Sequence, residues 1–125
     1  MTSLLVDTQA VLWWLADEPS LSQGARAALA DPANEALVSS ASLWEIAIKR
    51  SLGKLTAPDD LPEHILAAGF EWLPVSPAHA WVVRALPPHH PDPFDRLLVA
   101  QALAERVPIV TNDERVADYG VETVW

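Results

Sequence analysis

The sequence predicts an α/β fold, a three-layer sandwich in which helices cover both faces of a mostly parallel five-stranded sheet. Three observations lead there. Short β-branched apolar runs alternate along the chain with longer segments whose apolar residues recur at helical spacing. In HHPDPFDRLLVAQALAERVPIVTND (residues 89–113), a helix-period segment passes after a short connection into a β-branched run, which is half of an α/β unit. Acidic residues also follow strands directly: Asp7 comes after Leu4-Leu5-Val6, and Asp113 just past Pro108-Ile109-Val110-Thr111. Open parallel sheets bind their ligands at those carboxyl ends.

Residues 4–6 form the first strand. Asp7 or Thr8 caps the helix that follows, Val11, Leu12 and Leu15 give it an apolar stripe, and Asp17-Glu18-Pro19 stops it. A second helical segment opens at Leu21-Ser22 and runs through Arg26, Ala27, Ala28 and Leu29 to Asp31-Pro32. Proline cannot continue the hydrogen-bond ladder and turns its predecessor away from helix, so these two helices make a crossover hairpin. Residues 36–39 are the second strand. The next helix places Leu43, Trp44, Ala47, Ile48 and Leu52 along one apolar side and ends at Gly53. Glu45 lies one turn inside it; Ser42 to Glu45 has capping-box spacing and Lys49 stands four residues further on, so a local structural role competes with a ligand role.

Residues 57–60 form a turn, 61–68 a helix closed by Gly69-Phe70, and 71–75 a short strand that Pro74 assigns to an edge. Ser76 and Pro77 are N-cap and first residue of a helix running through Ala80, Val83 and Leu86. The loop over residues 87–93 leads into a helix from Phe94, with Leu98, Ala102 and Leu103 on its apolar side, and then into the fourth strand at 108–111. Residues 114–118 make a helical turn, Gly120 breaks it, and residues 121–125 form the last strand.

A length of 125 residues suits a single domain spanning residues 1–125. The chain is 50% apolar and 20% charged, which argues against disorder. The longest apolar run, residues 10–16, falls far short of the roughly 20 residues of a membrane-spanning helix, and no signal-like segment is found, so no membrane association is expected. The absence of cysteine excludes a disulfide scaffold or thiolate metal site and fits a reducing, cytoplasmic compartment. A net charge of −9 weighs against generic nucleic-acid binding, which normally leaves a basic footprint. An acidic cluster that holds divalent cations nevertheless inverts its own field once loaded. Lys49, Arg50 and Lys54 gather in one patch that suits a short RNA contact as well as a solvated helix end.

Asp7 follows the first strand, Glu45 lies in the helix after the second, Asp95 starts the helix before the fourth strand and Asp113 follows that strand. If the first and fourth strands are neighbours, Asp7 and Asp113 face one crevice that Glu45 and Asp95 reach from helix starts. Structural roles compete here too: Asp92 and Asp95 suit a helix N-terminus, and Asp113 suits a turn. Carboxylates without thiolates suit the hard cations Mg²⁺ or Mn²⁺, and a cation allows several neighbouring carboxylates to stay ionised. Such ions activate water and neutralise charge developing on a phosphodiester. The alternative metal is zinc, held by His89, His90, Asp92 and His79; adjacent histidines diverge and lack helical HExxH-like spacing, so they read as loop residues.

The pieces LLVDT (residues 4–8), SSASLWEIAIK (39–49), HHPDPFDRLLVAQA (89–102) and IVTND (109–113), with YGVETVW at the end, resemble the PIN-domain ribonucleases, in particular the VapC-like toxins of bacterial toxin–antitoxin pairs. The resemblance implies a sheet in the order 3-2-1-4-5 and an Mg²⁺- or Mn²⁺-dependent endoribonuclease that cuts RNA. It implies that Asp7, Glu45, Asp95 and Asp113 surround the metal, that Asp92 is an outer member, and that Thr111 and Ser39 supply hydroxyls orienting carboxylates or water. It further implies a homodimer restrained by a cognate antitoxin whose C-terminal segment covers the groove. Two other readings remain: a noncatalytic PIN-like protein that binds antitoxin or RNA, and a structure-specific DNA nuclease. Among the six tryptophans, the helical registers of Trp13, Trp44 and Trp81 make them core, while Trp14, next to Trp13, points elsewhere and is the interface candidate.

Overall fold

The computed structural model describes residues 2–125. The chain runs β1 (Thr2–Val6), α1 (Thr8–Leu15), α2 (Gln23–Ala30), β2 (Asn34–Ser39), α3 (Ser40–Ser51), α4 (Leu61–Ala67), β3 (Glu71–Leu73), α5 (Pro77–Val82) with a 3₁₀ turn (Val83–Ala85), α6 (Pro93–Glu105), β4 (Ile109–Val110), α7 (Glu114–Ala117) and β5 (Thr123–Val124). The strands pair in the order β3-β2-β1-β4-β5, every neighbour parallel. The fold class and the strand order expected from the sequence are both observed.

Alternation along β1 sends its side chains into two separate apolar layers. Leu4 and Val6 pack with Val11 of α1, Ala25 of α2, Ile46 of α3 and Ile65 of α4. Leu5 faces the opposite way, against Leu98 and Val99 of α6, Ile109 of β4 and Val116 of α7. Leu5, Val6, Val38, Ile109 and Val110 are all buried, as central strands covered on both faces must be. The winding reverses between β1 and β4, where Val6 stands opposite Val110. The ladder continues for one bond beyond, the Asp7 N–H donating to the Val110 carbonyl at 3.1 Å, so Asp7 leaves the sheet at its point of reversal.

Several local expectations are corrected. β2 runs into α3 without a loop, so the cap is Ser39, whose hydroxyl accepts from the Ala41 N–H at 3.0 Å, and Ser42 already lies inside the helix. The Ser42–Glu45 capping box therefore does not form; the Ser42 hydroxyl instead accepts from Thr8 at 2.9 Å and ties α3 to α1. The same register turns Ala41, Ser42, Glu45 and Ile46 inward. Of the stripe along this helix, Leu43 packs against the β1 layer, but Trp44 and Leu52 are turned outward, 60% and 63% exposed. Trp81 is not core either: it is 67% exposed, with the Arg84 guanidinium 4.6 Å from its ring centroid. Trp13 and Trp14 are both half-buried and pack against the β1 layer. β4 and β5 are shorter than predicted, although the Thr111 N–H still bonds the Val124 carbonyl at 3.1 Å.

Candidate metal centre

At the carboxyl ends of β1 and β4 lies a cleft of about 230 Å³ lined by Asp7, Glu45, Asp92, Asp95 and Asp113, together with Lys49 and Asn112. The four acids singled out in the sequence, and the outer Asp92, thus meet in one place. Three of them also start helices. Asp7 caps α1 by accepting from the Ala10 N–H at 2.7 Å, and Asp113 caps α7 by accepting from the Arg115 N–H at 2.9 Å. Asp92 caps α6, accepting from the N–H groups of Phe94 at 2.8 Å and Asp95 at 3.3 Å, with Pro93 in the first helical position. Capping fixes each carboxylate at the positive end of a helix, where negative charge is best tolerated. The structural role anticipated for Asp92 and Asp113 and their position in the cleft therefore coexist.

Glu45 comes from the inward side of α3 and is only 5% exposed. Its Oε2 accepts from Lys49 Nζ at 2.6 Å, one helical turn on, while its buried Oε1 has no hydrogen-bond partner among the described residues. Lys49 is held above its ordinary range by that bond. Asp95, in the first turn of α6, is pushed up to about 6 by burial and then by the charges of Asp92, Glu45 and Asp7. Burial likewise raises Asp7, with Asp113 and Glu45 adding to the effect, although the Thr111 hydroxyl beside it opposes the rise. Asp113 is the exception: burial pushes it up, but hydrogen bonds from Arg115 and His90 outweigh that and hold it below the usual carboxylate range.

An unpartnered buried oxygen, two carboxyls raised chiefly by burial and then by neighbouring acids, and a donor set made of oxygens fit a hard divalent cation. The zinc set of His79, His89, His90 and Asp92 is not assembled as such. His79 is buried between α5 and α6, with its Nε2 3.3 Å from Glu105, and His89 stacks edge-on against Tyr119 at 4.9 Å. Ser39 is engaged with Ala41 rather than with a carboxylate, whereas the Thr111 hydroxyl accepts from the Asp113 N–H at 3.1 Å.

His90 lies in the loop where the sequence places it, but buried against the acids that line the cleft. His90 is 3% exposed, and its Nε2 lies 2.7 Å from Asp113 Oδ2 and 3.1 Å from Asp95 Oδ2. Single ligand atoms of His90, Asp95 and Asp113 lie within 4.8 Å of one another. The available signal was its place two residues before the N-cap Asp92, from which an imidazole can accept the cap's own N–H, as it does at 3.0 Å.

Comparison with known proteins agrees with this fold. The PIN domain family model matches residues 4–122. Ribonuclease VapC22 of Mycobacterium tuberculosis is 32% identical over the full length of both chains. Among solved structures, VapBC2 of Rickettsia felis, bound to a DNA fragment from the promoter, superposes with a TM-score of 0.71 at 17% identity, covering 98% of this chain and 97% of that one. VapBC-1 of nontypeable Haemophilus influenzae gives 0.63 at 14% identity, with 98% and 96% covered. PAE2754 of Pyrobaculum aerophilum gives 0.59 at 15% identity, with 98% and 89% covered. With a family model matching nearly the whole chain, a full-length relative and the expected strand order, this chain belongs to the PIN domain family, among its VapC-like members.

Proposed function

We propose that this protein is a metal-dependent endoribonuclease, the toxin of a toxin–antitoxin pair, which hydrolyses RNA phosphodiester bonds. The observation that carries this reading is the convergence of Asp7, Glu45, Asp95 and Asp113 on one cleft in a chain related over its whole length to a protein named as a ribonuclease. These four carboxylates would hold Mg²⁺ or Mn²⁺, with Asp92 an outer member fixed by its capping bonds. When bound, the cation acidifies water and neutralises charge on the phosphodiester and its leaving oxygen. The side chains around it have separate tasks. Thr111 steadies Asp7 and the backbone of Asp113, and Ser39 fixes the start of the helix that carries Glu45. Lys49 Nζ and the Arg115 guanidinium place positive charge beside acids, where a phosphate must enter.

An antitoxin is the second partner we propose. The solved relatives named VapBC2 and VapBC-1 and a toxin–antitoxin complex from Klebsiella pneumoniae support it at the level of fold. So does an apolar groove of about 530 Å³ between α1 and α4, lined by Leu12, Trp13, Leu15, Ala57, Pro58 and Leu61. It shares Gln9 and Leu12 with the acidic cleft, so an antitoxin segment lying in it by its apolar face would extend a basic side chain among the carboxylates. The exposed indoles of Trp44 and Trp81 support a homodimer. We take residues 1–125 as one nuclease domain working in the cytoplasm, where its RNA would be found; no helix among the described residues is long and apolar enough to cross a membrane.

The test is cleavage of total cellular RNA by antitoxin-free protein with Mg²⁺ or Mn²⁺, beside a DNA panel. Chelator-sensitive RNA fragments are expected. Absence of products across a broad RNA set would favour a noncatalytic binding role, and cleavage confined to DNA would reassign the substrate. Mapping the 5′ ends of RNAs after brief expression would then identify the target, which these acids do not specify.

A further inference from the structure

We infer that His90 is a positioning residue of the metal centre, which uses its Nε2–H to anchor Asp113 beside Asp95 and does not itself bind the ion. The inference rests on the proposed metal site. It begins with the tautomer. The N–H of Asp92 can only donate, and it points at His90 Nδ1 at 3.0 Å, so Nδ1 must present its lone pair. The neutral ring then carries its proton on Nε2, the nitrogen facing Asp113 Oδ2 at 2.7 Å and Asp95 Oδ2 at 3.1 Å. A nitrogen that bears a proton has no lone pair for a cation. His90 thus belongs to the acid cluster as a donor to Asp113 at the cap of α7, with Asp95 in the first turn of α6 within 3.1 Å of the same nitrogen.

The loop that delivers the ring is fixed independently. The His90 N–H donates to the Tyr119 hydroxyl at 2.9 Å, and Arg96 donates to the same hydroxyl at 3.1 Å and to the Pro87 carbonyl at 3.0 Å. Backbone and ring are therefore held at separate points. A donor bonded to one ligating carboxylate and set close beside a second orients the first and lowers the cost of gathering the two before the ion arrives, and loss of such a partner weakens metal binding by about 10–100-fold.

The experiment is Mn²⁺ titration of the metal-free protein at neutral pH, by calorimetry and by electron paramagnetic resonance. Wild type, His90→Ala and His90→Gln are compared well below their melting temperatures. His90→Ala is expected to bind Mn²⁺ about 10–100-fold more weakly. His90→Gln, whose side-chain amide restores an N–H donor, should recover most of that loss. A merely structural histidine would lower the melting temperature of both variants and leave Mn²⁺ affinity in the folded protein unchanged, and that result would overturn the inference. Electron spin echo measurements on wild type require no variant to fold: the inference expects no directly bound nitrogen, and an imidazole nitrogen signal would refute it. If wild type binds no Mn²⁺ at all, the metal site itself is wrong, and this inference falls with it.

Discussion

Replacing Asp95 by asparagine should make the metal-free protein more stable at neutral pH while ending its metal-dependent turnover. The carboxyl of Asp95 is raised from 3.8 to about 6 on folding, first by burial and then by the acids around it. A group whose pKa rises on folding contributes stability that is fully present below its unfolded value and is lost as pH climbs through its folded value. The metal-free protein should therefore weaken between about pH 4 and pH 7. At about 1.36 kcal/mol per pKa unit, the rise sets an upper bound of ~3 kcal/mol. With the Asp95 side chain 28% exposed, solvent screening brings this nearer ~1–2 kcal/mol. Asparagine keeps the shape of the side chain and carries no charge, so Asp95→Asn should recover that amount, roughly 3–8 °C in Tm.

The assay is thermal unfolding of both proteins at pH 4.5 and pH 7, in chelator and in excess Mg²⁺. In chelator the variant should lead at pH 7 and lose most of that lead at pH 4.5. In Mg²⁺ the order should reverse, because only the wild type gains fully from a bound ion. A variant no more stable than wild type in chelator at pH 7, or a gap equally large at both pH values, would show that Asp95 is not the strained charge of the cluster.

Three further outcomes are expected. Asp7→Asn should abolish RNA cleavage without lowering the melting temperature of the metal-free protein, because asparagine still caps α1 and removes a buried charge, whereas Asp92→Asn should lower the rate less; retained activity in Asp7→Asn would show that the wrong carboxylate was chosen. Trp44→Ala and Trp81→Ala remove exposed side chains, so each should leave monomer stability within about 0.5 kcal/mol while weakening the dimer in sedimentation; an unchanged dimer would assign these indoles elsewhere. Ala16→Glu, on the apolar groove but outside the acidic cleft, should weaken antitoxin binding in a pull-down and spare RNA cleavage; undiminished binding would move the antitoxin off this groove.

What the sequence displayed of the site was the part encoded by immediate succession. Asp7 directly follows β1 and Asp113 comes three residues after β4, each capping the next helix, so strand adjacency brings them together. Helix α3 was harder to read because it carries two part-apolar stripes, and periodicity does not say which faces inward. Its register is set by β2, which enters it without a turn. The face holding Ile46 and Glu45 is then buried, and the larger stripe of Trp44 and Leu52 is left outside. His90 was missed for a different reason. Its role depends on a loop anchored by Tyr119, 29 residues away, and no local spacing records such a contact.

Three of the cleft's carboxylates double as helix caps, and this shapes how the protein can fail. Aspartate and asparagine cap almost equally well, and a single nucleotide change interconverts them. An Asp7 or Asp113 codon can therefore drift to asparagine and yield a chain that still folds and still presents its apolar groove. On the toxin reading proposed above, this is the shortest route out of self-harm, because a disarmed chain keeps the groove by which it would still occupy an antitoxin.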